Sequence, residues 1–327
     1  MKIVITGGAG FLGQLLLRAL CERGTLTDAS GEVRRIAQIV AVDQSHSGRL
    51  FVDDRVEYVV GDVAAAGFIN HVMETNTDTV FHLAAVVSGA AEADFDLGMH
   101  VNVDGMRTIL NACRAQHAIP KLVFASSVAV FGGDLPDILT DDTQPTPQTS
   151  YGIQKLIGEL LLSDCTRKGF IDGRAVRLPT IVVRPGKPNA AASSFASGIV
   201  REPLAGEISA CPVGAETAMW VLSPAAAIAA FVRAHEIPSD VWGARRALNL
   251  PGLTVTVAQM LEALRAVGGD AAVARVQMQP DERIRAIVRT WPARFETARA
   301  DTLGFARDAD VASIVRAYAR EHAPAPR

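Results

Sequence analysis

Near its start the chain reads Lys2-Ile-Val-Ile-Thr-Gly-Gly-Ala-Gly-Phe-Leu-Gly13. Lys2–Thr6 has the length and composition of a buried strand, and Phe11–Arg23 places leucines on one side at helical spacing. Gly8, Gly10 and Gly13 allow a tight turn and let the backbone approach a phosphate group at the helix N-terminus. The stretch predicts a strand, a phosphate-binding turn and a helix. A turn with a purely structural purpose is the alternative.

Strand-like and helix-like segments alternate through the first half of the chain. The further predicted strands are Ile36–Val42, Val56–Val60, Thr79–Leu83, Lys121–Ala125 and Ala175–Val183. This alternation predicts an α/β fold, a doubly wound parallel (Rossmann) sheet with a smaller α/β C-terminal substrate lobe. We expect residues 1–178 to form the Rossmann domain, together with later strands from about 215–250. We assign residues 179–214 and 251–327 to the lobe, and the polar stretch Gly24–Arg34 to a loop.

Composition limits the classes of function. The chain has 327 residues, 49% of them hydrophobic and 20% charged, and a net charge of -3, which is ordinary for a soluble enzyme and gives no reason to expect a nucleic-acid partner. The four cysteines and seven histidines lack metal-ligand spacing, so we expect no metal. No apolar stretch reaches membrane-spanning length and no signal-peptide pattern is present. We therefore expect a cytoplasmic protein with reduced thiols and no membrane partner.

Tyr151 and Lys155 stand four residues apart, ahead of the apolar run Leu156–Leu162. In a helix this spacing places the phenol and the ammonium group on one face. A cation beside a phenol favours the phenolate, so the pair predicts a base that works near neutral pH. The spacing also occurs by chance on helix surfaces. Its significance here comes from its position downstream of the glycine turn.

Two aspartates follow predicted strands on the same edge of the sheet. Asp43 ends the second strand, where an acid binds the ribose hydroxyls of adenosine, and the nearest basic residue downstream, Arg49, is not adjacent to it. This predicts NAD rather than NADP. Asp62 follows the third strand, and we expect it to meet the adenine edge. Either residue could instead serve a turn or cap a helix.

Eight short motifs occur in a fixed order along nearly the whole chain. They are Thr6-Gly-Gly-Ala-Gly-Phe-Leu-Gly13, Gly61-Asp-Val63, His82-Leu-Ala-Ala85, Asn102-Val-Asp-Gly105, Phe124-Ala-Ser-Ser127, Val130-Phe-Gly132, Tyr151-Gly-Ile-Gln-Lys155 and Arg177-Leu-Pro179. In order and spacing they resemble the extended short-chain dehydrogenase/reductase (NAD-dependent epimerase/dehydratase) family. The resemblance implies a Rossmann fold and NAD as the cofactor.

The resemblance also implies roles for individual residues. Tyr151 would accept the proton of the substrate hydroxyl, Lys155 would lower the pKa of Tyr151 and bind the nicotinamide ribose, and Ser127 would polarise the reacting oxygen. The implied cofactor contacts are Gly7, Gly10, Phe11, Leu12, Gly13, Asp43, Asp62, Val63, Leu83, Ala84, Ala85, Asn102, Tyr151, Lys155, Pro179, Thr180 and Ile181. The implied substrate contacts are Ser88, Ser126, Ser127, Tyr151 and Arg184. Asn102 could instead cap a helix, and Ser126 and Ser127 could satisfy backbone groups.

Within the family the chain is most similar to the acid-sugar dehydrogenases, on the stretches Ser150–Leu156, Arg177–Gly186 and Asn189–Gly206. This implies oxidation of the C2 hydroxyl of a small acid sugar, with D-erythronate as the expected substrate and 2-oxo-erythronate as the product. A sugar-nucleotide epimerase or dehydratase that retains NAD stays open, although Phe131 replaces a tyrosine common in those members. A non-catalytic NAD-binding sensor also stays open, although it would not need a Ser-Tyr-Lys triad.

Recognition of the substrate is expected in the lobe, from residues such as Arg184, Lys187 and Asn189. An arginine holds a carboxylate with two hydrogen bonds. The small residues Ala190–Ser194 suggest a loop over a compact ligand. The alternative is that Arg184 pairs with a structural carboxylate. By analogy with the family, a homodimer through the helix that carries Tyr151 is also expected.

Overall fold

The fold is known from a computed structural model, which describes residues 1–46, 50–74, 76–187 and 192–322. The strands are β1 (Lys2–Thr6), β2 (Thr25–Thr27), β3 (Val33–Arg35), β4 (Gln38–Asp43), β5 (Val56–Val60), β6 (Thr79–His82), β7 (Lys121–Ser127), β8 (Asp172–Leu178), β9 (Thr180–Ile181), β10 (Ser209–Cys211), β11 (Ala218–Leu222), β12 (Ala247–Asn249), β13 (Leu253–Thr256) and β14 (Val276–Met278). The helices are α1 (Phe11–Arg23), α2 (Ala66–Val72), α3 (Ser88–Ala93), α4 (Phe95–Gly98), α5 (Gly105–Arg114), α6 (Ser150–Arg167), α7 (Ser194–Leu204), α8 (Pro224–Glu236), α9 (Ser239–Trp242), α10 (Val257–Val273), α11 (Glu282–Val288), α12 (Ala298–Thr302) and α13 (Val311–His322).

A seven-stranded parallel sheet forms the centre of the molecule, in the order β12-β8-β7-β6-β1-β4-β5. The strand order reverses between β1 and β6. In an open α/β sheet a ligand binds at such a reversal, beyond the carboxyl ends of the strands. The predicted doubly wound sheet is confirmed.

Both faces of this sheet are buried, and alternate residues of each strand serve different faces. Ile3 and Ile5 pack with the leucines of α1 and with α8 in one core. Val4 points to the opposite core, which α2, α5 and α6 complete. This explains why β1 is a continuous apolar run rather than an alternating one.

The smaller lobe has its own core and two small sheets. One sheet has the order β13-β11-β9, and the other pairs β10 with β14. Helices α7, α10 and α13 pack on one another around the apolar core of the lobe. The boundaries of the two domains predicted above stay a prediction.

Three segments are placed differently from the sequence-based expectation. Of the strands expected to return from about 215–250, β12 joins the large sheet, whereas β11 pairs with β9 in the lobe. Pro179 interrupts the predicted strand Ala175–Val183 and separates β8 from β9. Near the other end of the chain, α12 buries Ala300 against the Rossmann core instead of in the lobe.

One further prediction about local structure is wrong. Gly24–Arg34 is not simply a loop, because β2 and β3 form an antiparallel hairpin there. A π-helical segment at Met99–Asp104 continues directly into α5. In the described part of the chain, no helix has the length and apolar character needed to cross a membrane.

Candidate active site

A cavity of about 540 Å³ lies at the reversal point of the large sheet. It extends from the glycine turn after β1 to the lobe, where Arg184, Trp220 and Trp291 contribute to its wall. Apart from Asn102, all predicted catalytic, cofactor and substrate residues line this cavity. The fold therefore brings together side chains that are up to 177 positions apart in the sequence (from Gly7 to Arg184).

The glycine turn has the geometry of a phosphate cradle. Gly7 has a positive φ of 73°, and a Cβ atom there would lie 2.8 Å from the nitrogen of Ala84. A Cβ atom on Gly13 would collide with the carbonyl oxygen of Gly7. Helix α1 begins after Gly10 without a side-chain cap, so its first N–H groups are free to bind an anion.

Two carboxylates lie at the adenosine end of the cavity. Asp43 accepts a hydrogen bond from the backbone N–H of Ala9 at 3.0 Å, which fixes one oxygen beside the glycine turn. Asp62 accepts from the backbone N–H of Ala64 and lies 2.7 Å from Nε2 of His100. Arg49 falls outside the described residues. The Asp43 carboxylate is thus positioned to bind a pair of ribose hydroxyls.

Tyr151 lies in the first turn of α6, whose start is capped by Thr149. Removal from water raises the pKa of Tyr151 to about 12, and a hydrogen bond with Ser127 and the charge of Arg184 oppose this rise. The phenol is therefore protonated at neutral pH in the protein without a ligand, and the role of Tyr151 as a base near neutral pH stays a prediction. The prediction assigned the lowering effect to Lys155, whereas the structure assigns it to Ser127 and Arg184.

Lys155 points toward β7 rather than directly at the phenol oxygen. Its Nζ donates to the carbonyl oxygen of Ala125 at 2.9 Å and lies 4.8 Å from the centre of the Phe124 ring and 5.6 Å from that of Tyr151. Burial lowers the pKa of Lys155 to about 7, and the negative charge of Glu159 raises it in part. An ammonium has three donors, so Lys155 can also donate into the cavity.

Ser126 belongs to a buried network behind the cavity wall. Its hydroxyl donates to Oε1 of Glu159 at 2.5 Å, and both nitrogens of the Arg177 fork donate to the same carboxylate at 2.7 and 2.9 Å. Arg177 also donates to Asn249. The predicted substrate contact through the Ser126 hydroxyl is therefore not supported, since its proton is used inside the protein.

Asn102 holds the backbone of the segment after β6. It accepts from the N–H of Val86 at 2.8 Å and donates to the carbonyl oxygen of Val86 at 3.1 Å and to Gln154 at 2.7 Å. The cap predicted as its alternative is absent, because Asn102 lies inside the π-helical segment. It fixes the strand end that carries Leu83, Ala84 and Ala85 without lining the cavity itself.

Arg184 is the cation at the substrate end of the cavity. Its guanidinium lies 3.4 Å from the hydroxyl of Ser193. Its backbone N–H donates to the hydroxyl of Ser197, and its backbone carbonyl oxygen accepts from the side chain of Arg201. Among the described residues no carboxylate lies within ion-pair distance of this guanidinium. The structural pairing considered for Arg184 is therefore absent from the described part of the chain.

Three apolar side chains at the substrate end were not found from the sequence. Trp220, Trp291 and Pro292 line the cavity near Arg184. Trp220 lies on β11 and Trp291 follows α11, so no motif connects them. Of the other lobe residues named above, Lys187 is exposed and outside the cavity wall, and Asn189 falls outside the described residues.

Residues 3–245 match the model of the NAD-dependent epimerase/dehydratase family. The chain belongs to this family. It is 54% identical to a D-erythronate dehydrogenase of Cupriavidus necator over 97% of its length and 98% of that protein, and 42% identical to one of Haemophilus influenzae over the same shares. A crystal structure titled nucleoside-diphosphate-sugar epimerase, from Agrobacterium tumefaciens, is 40% identical and superimposes with a TM-score of 0.91, covering 98% of this chain and 94% of that one.

NAD is the cofactor of this epimerase/dehydratase member, and the cavity fits it. The uncapped N-terminus of α1 offers donors to a pyrophosphate, and Asp43 offers an acceptor to ribose hydroxyls. Across the residues that the structure describes, no group of three or more His, Cys, Asp or Glu side chains is arranged to hold a metal ion.

Proposed function

We propose that the chain is an NAD-dependent dehydrogenase that oxidises the C2 hydroxyl of a small sugar acid, D-erythronate, to 2-oxo-erythronate. One observation carries this proposal. The Arg184 guanidinium lies in the cavity, close enough to Tyr151 to affect its charge, and its side chain contacts a serine rather than an acid. A cation removed from water without an acidic partner is costly. A substrate carboxylate would supply that partner, with two hydrogen bonds.

The reaction follows from the positions of the side chains. The carboxylate of the substrate would lie on Arg184, which places the adjacent C2 hydroxyl at Ser127 and Tyr151. Tyr151 removes the hydroxyl proton as a general base, while Ser127 donates to the developing carbonyl oxygen. NAD, held by the glycine turn, Asp43 and Lys155, would supply the acceptor for the hydride of C2 and a positively charged ring that favours the phenolate form of Tyr151. Lys155 would donate to the nicotinamide ribose.

Two observations favour a sugar acid over a sugar nucleotide. Arg184 stands in the cavity wall with the apolar side chains of Trp220, Trp291 and Pro292. The similar proteins of Cupriavidus necator and Haemophilus influenzae, at 54% and 42% identity, are named D-erythronate dehydrogenases. The Ser-Tyr-Lys triad favours catalysis over a sensor.

The test is to identify the product and the state of the cofactor. Purified enzyme is incubated with D-erythronate and excess NAD, and the product is analysed by ¹³C NMR. The proposal predicts one new ketone carbon at C2 and one NADH for each ketone formed. An epimerase would instead be purified with tightly bound NAD and return a stereoisomer without net NADH, which would refute the proposal.

We also propose that the enzyme is a homodimer that uses the helix bearing Tyr151. The outer face of α6 exposes Ile153 and Leu160, and the neighbouring α4 exposes Phe95 and Leu97, with 40–63% of each residue's surface accessible. Contiguous exposed apolar groups favour a protein interface. Leu160→Lys should convert a dimer to a monomer in sedimentation. A monomeric wild type would contradict this proposal.

For the compartment we propose the cytoplasm. The four cysteines are free thiols, and three of them are buried. Reducing compartments keep thiols in that state. Subcellular fractionation with an antibody against the chain would test the assignment, and recovery outside the cytoplasmic fraction would overturn it.

A further inference from the structure

The catalytic helix α6 carries a carboxylate one turn beyond Lys155. Glu159 is only 3% exposed and Lys155 only 2%, and their spacing of four residues puts both on the same side of α6, facing the end of β7. The negative charge of Glu159 partly opposes the lowering of the Lys155 pKa by burial, so the carboxylate and the ammonium group interact across one turn of α6.

Both residues tie α6 to the end of β7. Lys155 donates to the carbonyl oxygen of Ala125, and Glu159 accepts from the hydroxyl of Ser126, the next residue. Ser127 follows directly, and its interaction with Tyr151 lowers the pKa of that phenol. The position of Ser127 relative to the phenol thus depends on two adjacent attachments to α6, one of which is made by Glu159.

Glu159 interacts with two cations, Arg177 and Lys155. Arg177 donates to both of its oxygens, at 2.9 and 2.7 Å, from β8 on the far side of the carboxylate. The charged and titratable groups around Lys155 are Tyr151 and Glu159 on its own helix, His82 on β6, Arg177 on β8 and Arg184 after β9. Burial and the nearby Lys155 lower the pKa of His82 to about 3, so His82 stays neutral. Glu159 is the one anion at neutral pH in this group of described residues.

We propose that Glu159 is a positioning residue that keeps Lys155 in its ammonium form at neutral pH and holds Ser127 against Tyr151. Burial lowers the pKa of Lys155 to about 7 even with the opposing charge of Glu159, so without Glu159 the lysine would be mostly neutral at pH 7. A neutral amine would no longer bring positive charge to the cofactor ribose. The catalytic part of this inference rests on the proposed dehydrogenase function.

The chain allows a direct test because it has five lysines, Lys2, Lys121, Lys155, Lys168 and Lys187. With lysine labelled at Cε by ¹³C, NMR follows each ammonium group through a pH titration, and Lys155→Met identifies the signal of Lys155. Glu159→Gln keeps the shape of the side chain and removes its charge. We expect the midpoint of the Lys155 titration to fall by about one pH unit or more, a tenfold change in the proton affinity.

Two other variants complete the design. Arg177→Gln removes the cation that shares the Glu159 carboxylate with Lys155, so the midpoint of the Lys155 titration should move upward. This variant tests the effect of Glu159 on Lys155 even if Glu159→Gln does not fold. Asn249→Ser removes a neutral partner of Arg177 and should leave the midpoint in place. In NADH formation, kcat should reach its plateau at a higher pH in Glu159→Gln than in wild type, because a displaced Ser127 would lower the pKa of Tyr151 less.

The outcomes separate this inference from the proposed function. An unchanged Lys155 midpoint in both Glu159→Gln and Arg177→Gln would overturn the inference, whatever happens to activity. A shifted midpoint in the expected directions supports it. If the wild type oxidises no sugar acid, the proposed function fails, while the lysine titration still decides whether Glu159 controls the charge on Lys155.

Discussion

The two ends of the active-site cavity are built from different kinds of groups. At the cofactor end, backbone N–H groups of the glycine turn and of α1 face the cavity, and Asp43 is fixed by another backbone N–H. At the substrate end, the recognising groups are the side chains of Arg184, Trp220 and Trp291, which come from three separate elements. Tyr151 and Lys155 lie between the two ends.

This difference separates cofactor binding, which the family shares, from substrate specificity, which differs between its members. A phosphate bound by backbone donors needs only the turn geometry, which glycines make possible. A substrate bound by side chains depends on which residues the lobe presents. Changes at the cofactor end should therefore alter the choice of nucleotide, and changes at the substrate end should alter the choice of acid.

The largest effect is expected between the two ends, at Tyr151. Tyr151→Phe removes the proton acceptor and keeps the ring, so kcat should fall by about 10²–10⁴-fold while the affinity for NAD is largely kept. Steady-state kinetics and NAD titration measure the two quantities. Tyr318→Phe, in α13 of the lobe, is the matched control. A Tyr151→Phe enzyme with a near wild-type kcat would rule out Tyr151 as the base.

The pH dependence of oxidation should follow the same phenol. Burial raises the pKa of Tyr151 to about 12 in the protein without a ligand, so the phenol is protonated at pH 7 and the base form increases as the pH rises. The rate of NADH formation should therefore rise with pH through the neutral and alkaline range and then level off. A rate that falls steadily from pH 6 to 9 would contradict a phenolate base.

At the cofactor end, Asp43 should decide between NAD and NADP. Its carboxylate would face the 2′-phosphate of NADP. Two negative charges brought together in this way cost about a few kcal/mol of binding free energy, of the order of 100-fold in specificity. Wild type should prefer NAD over NADP by about this factor in kcat/KM, and Asp43→Ala should reduce that preference. The prediction fails if wild type uses NADP as well as NAD.

At the substrate end, Arg184→Ala should raise KM for the sugar acid by about 10- to 100-fold, the loss expected for hydrogen bonds to a charged group. KM for a neutral polyol such as erythritol should change little, because it has no carboxylate. Arg184→Lys keeps the charge without the planar fork and should fall between the two. Equal effects on the acid and the polyol would remove Arg184 as the carboxylate ligand.

The smallest effect is expected from Trp291, which limits ligand length rather than binding the reacting group. Trp291 also borders a neighbouring cavity of about 360 Å³, so Trp291→Ala should connect the two spaces. The kcat/KM for a five- or six-carbon aldonate should then rise by roughly tenfold relative to the four-carbon acid. An unchanged ratio would mean that Trp291 does not set the length limit.

The cofactor end could be predicted from sequence because its residues lie close together along the chain. Gly7, Gly10 and Gly13 follow one strand, and Tyr151 and Lys155 share one helix. The direction of the Lys155 side chain could not be predicted, because it depends on Ala125 and Glu159 in the folded protein.

The substrate end was predicted less well for the same physical reason. Trp220 and Trp291 come together in the cavity wall only through the packing of the lobe, and no sequence motif connects Ser193 to Arg184. The partnership of Glu159 with Arg177 likewise connects a helix to a strand. Contacts of this kind leave no regular spacing in the sequence.

The central claim is that this site oxidises a four-carbon sugar acid held by Arg184, and a substrate comparison tests it most directly. NADH formation is measured with D-erythronate, with erythritol and with a nucleotide sugar, under identical conditions. The account predicts a kcat/KM for D-erythronate well above the other two, with the difference from erythritol lost in Arg184→Ala. NADH formation with erythritol or the nucleotide sugar, but with no four-carbon aldonate, would contradict it.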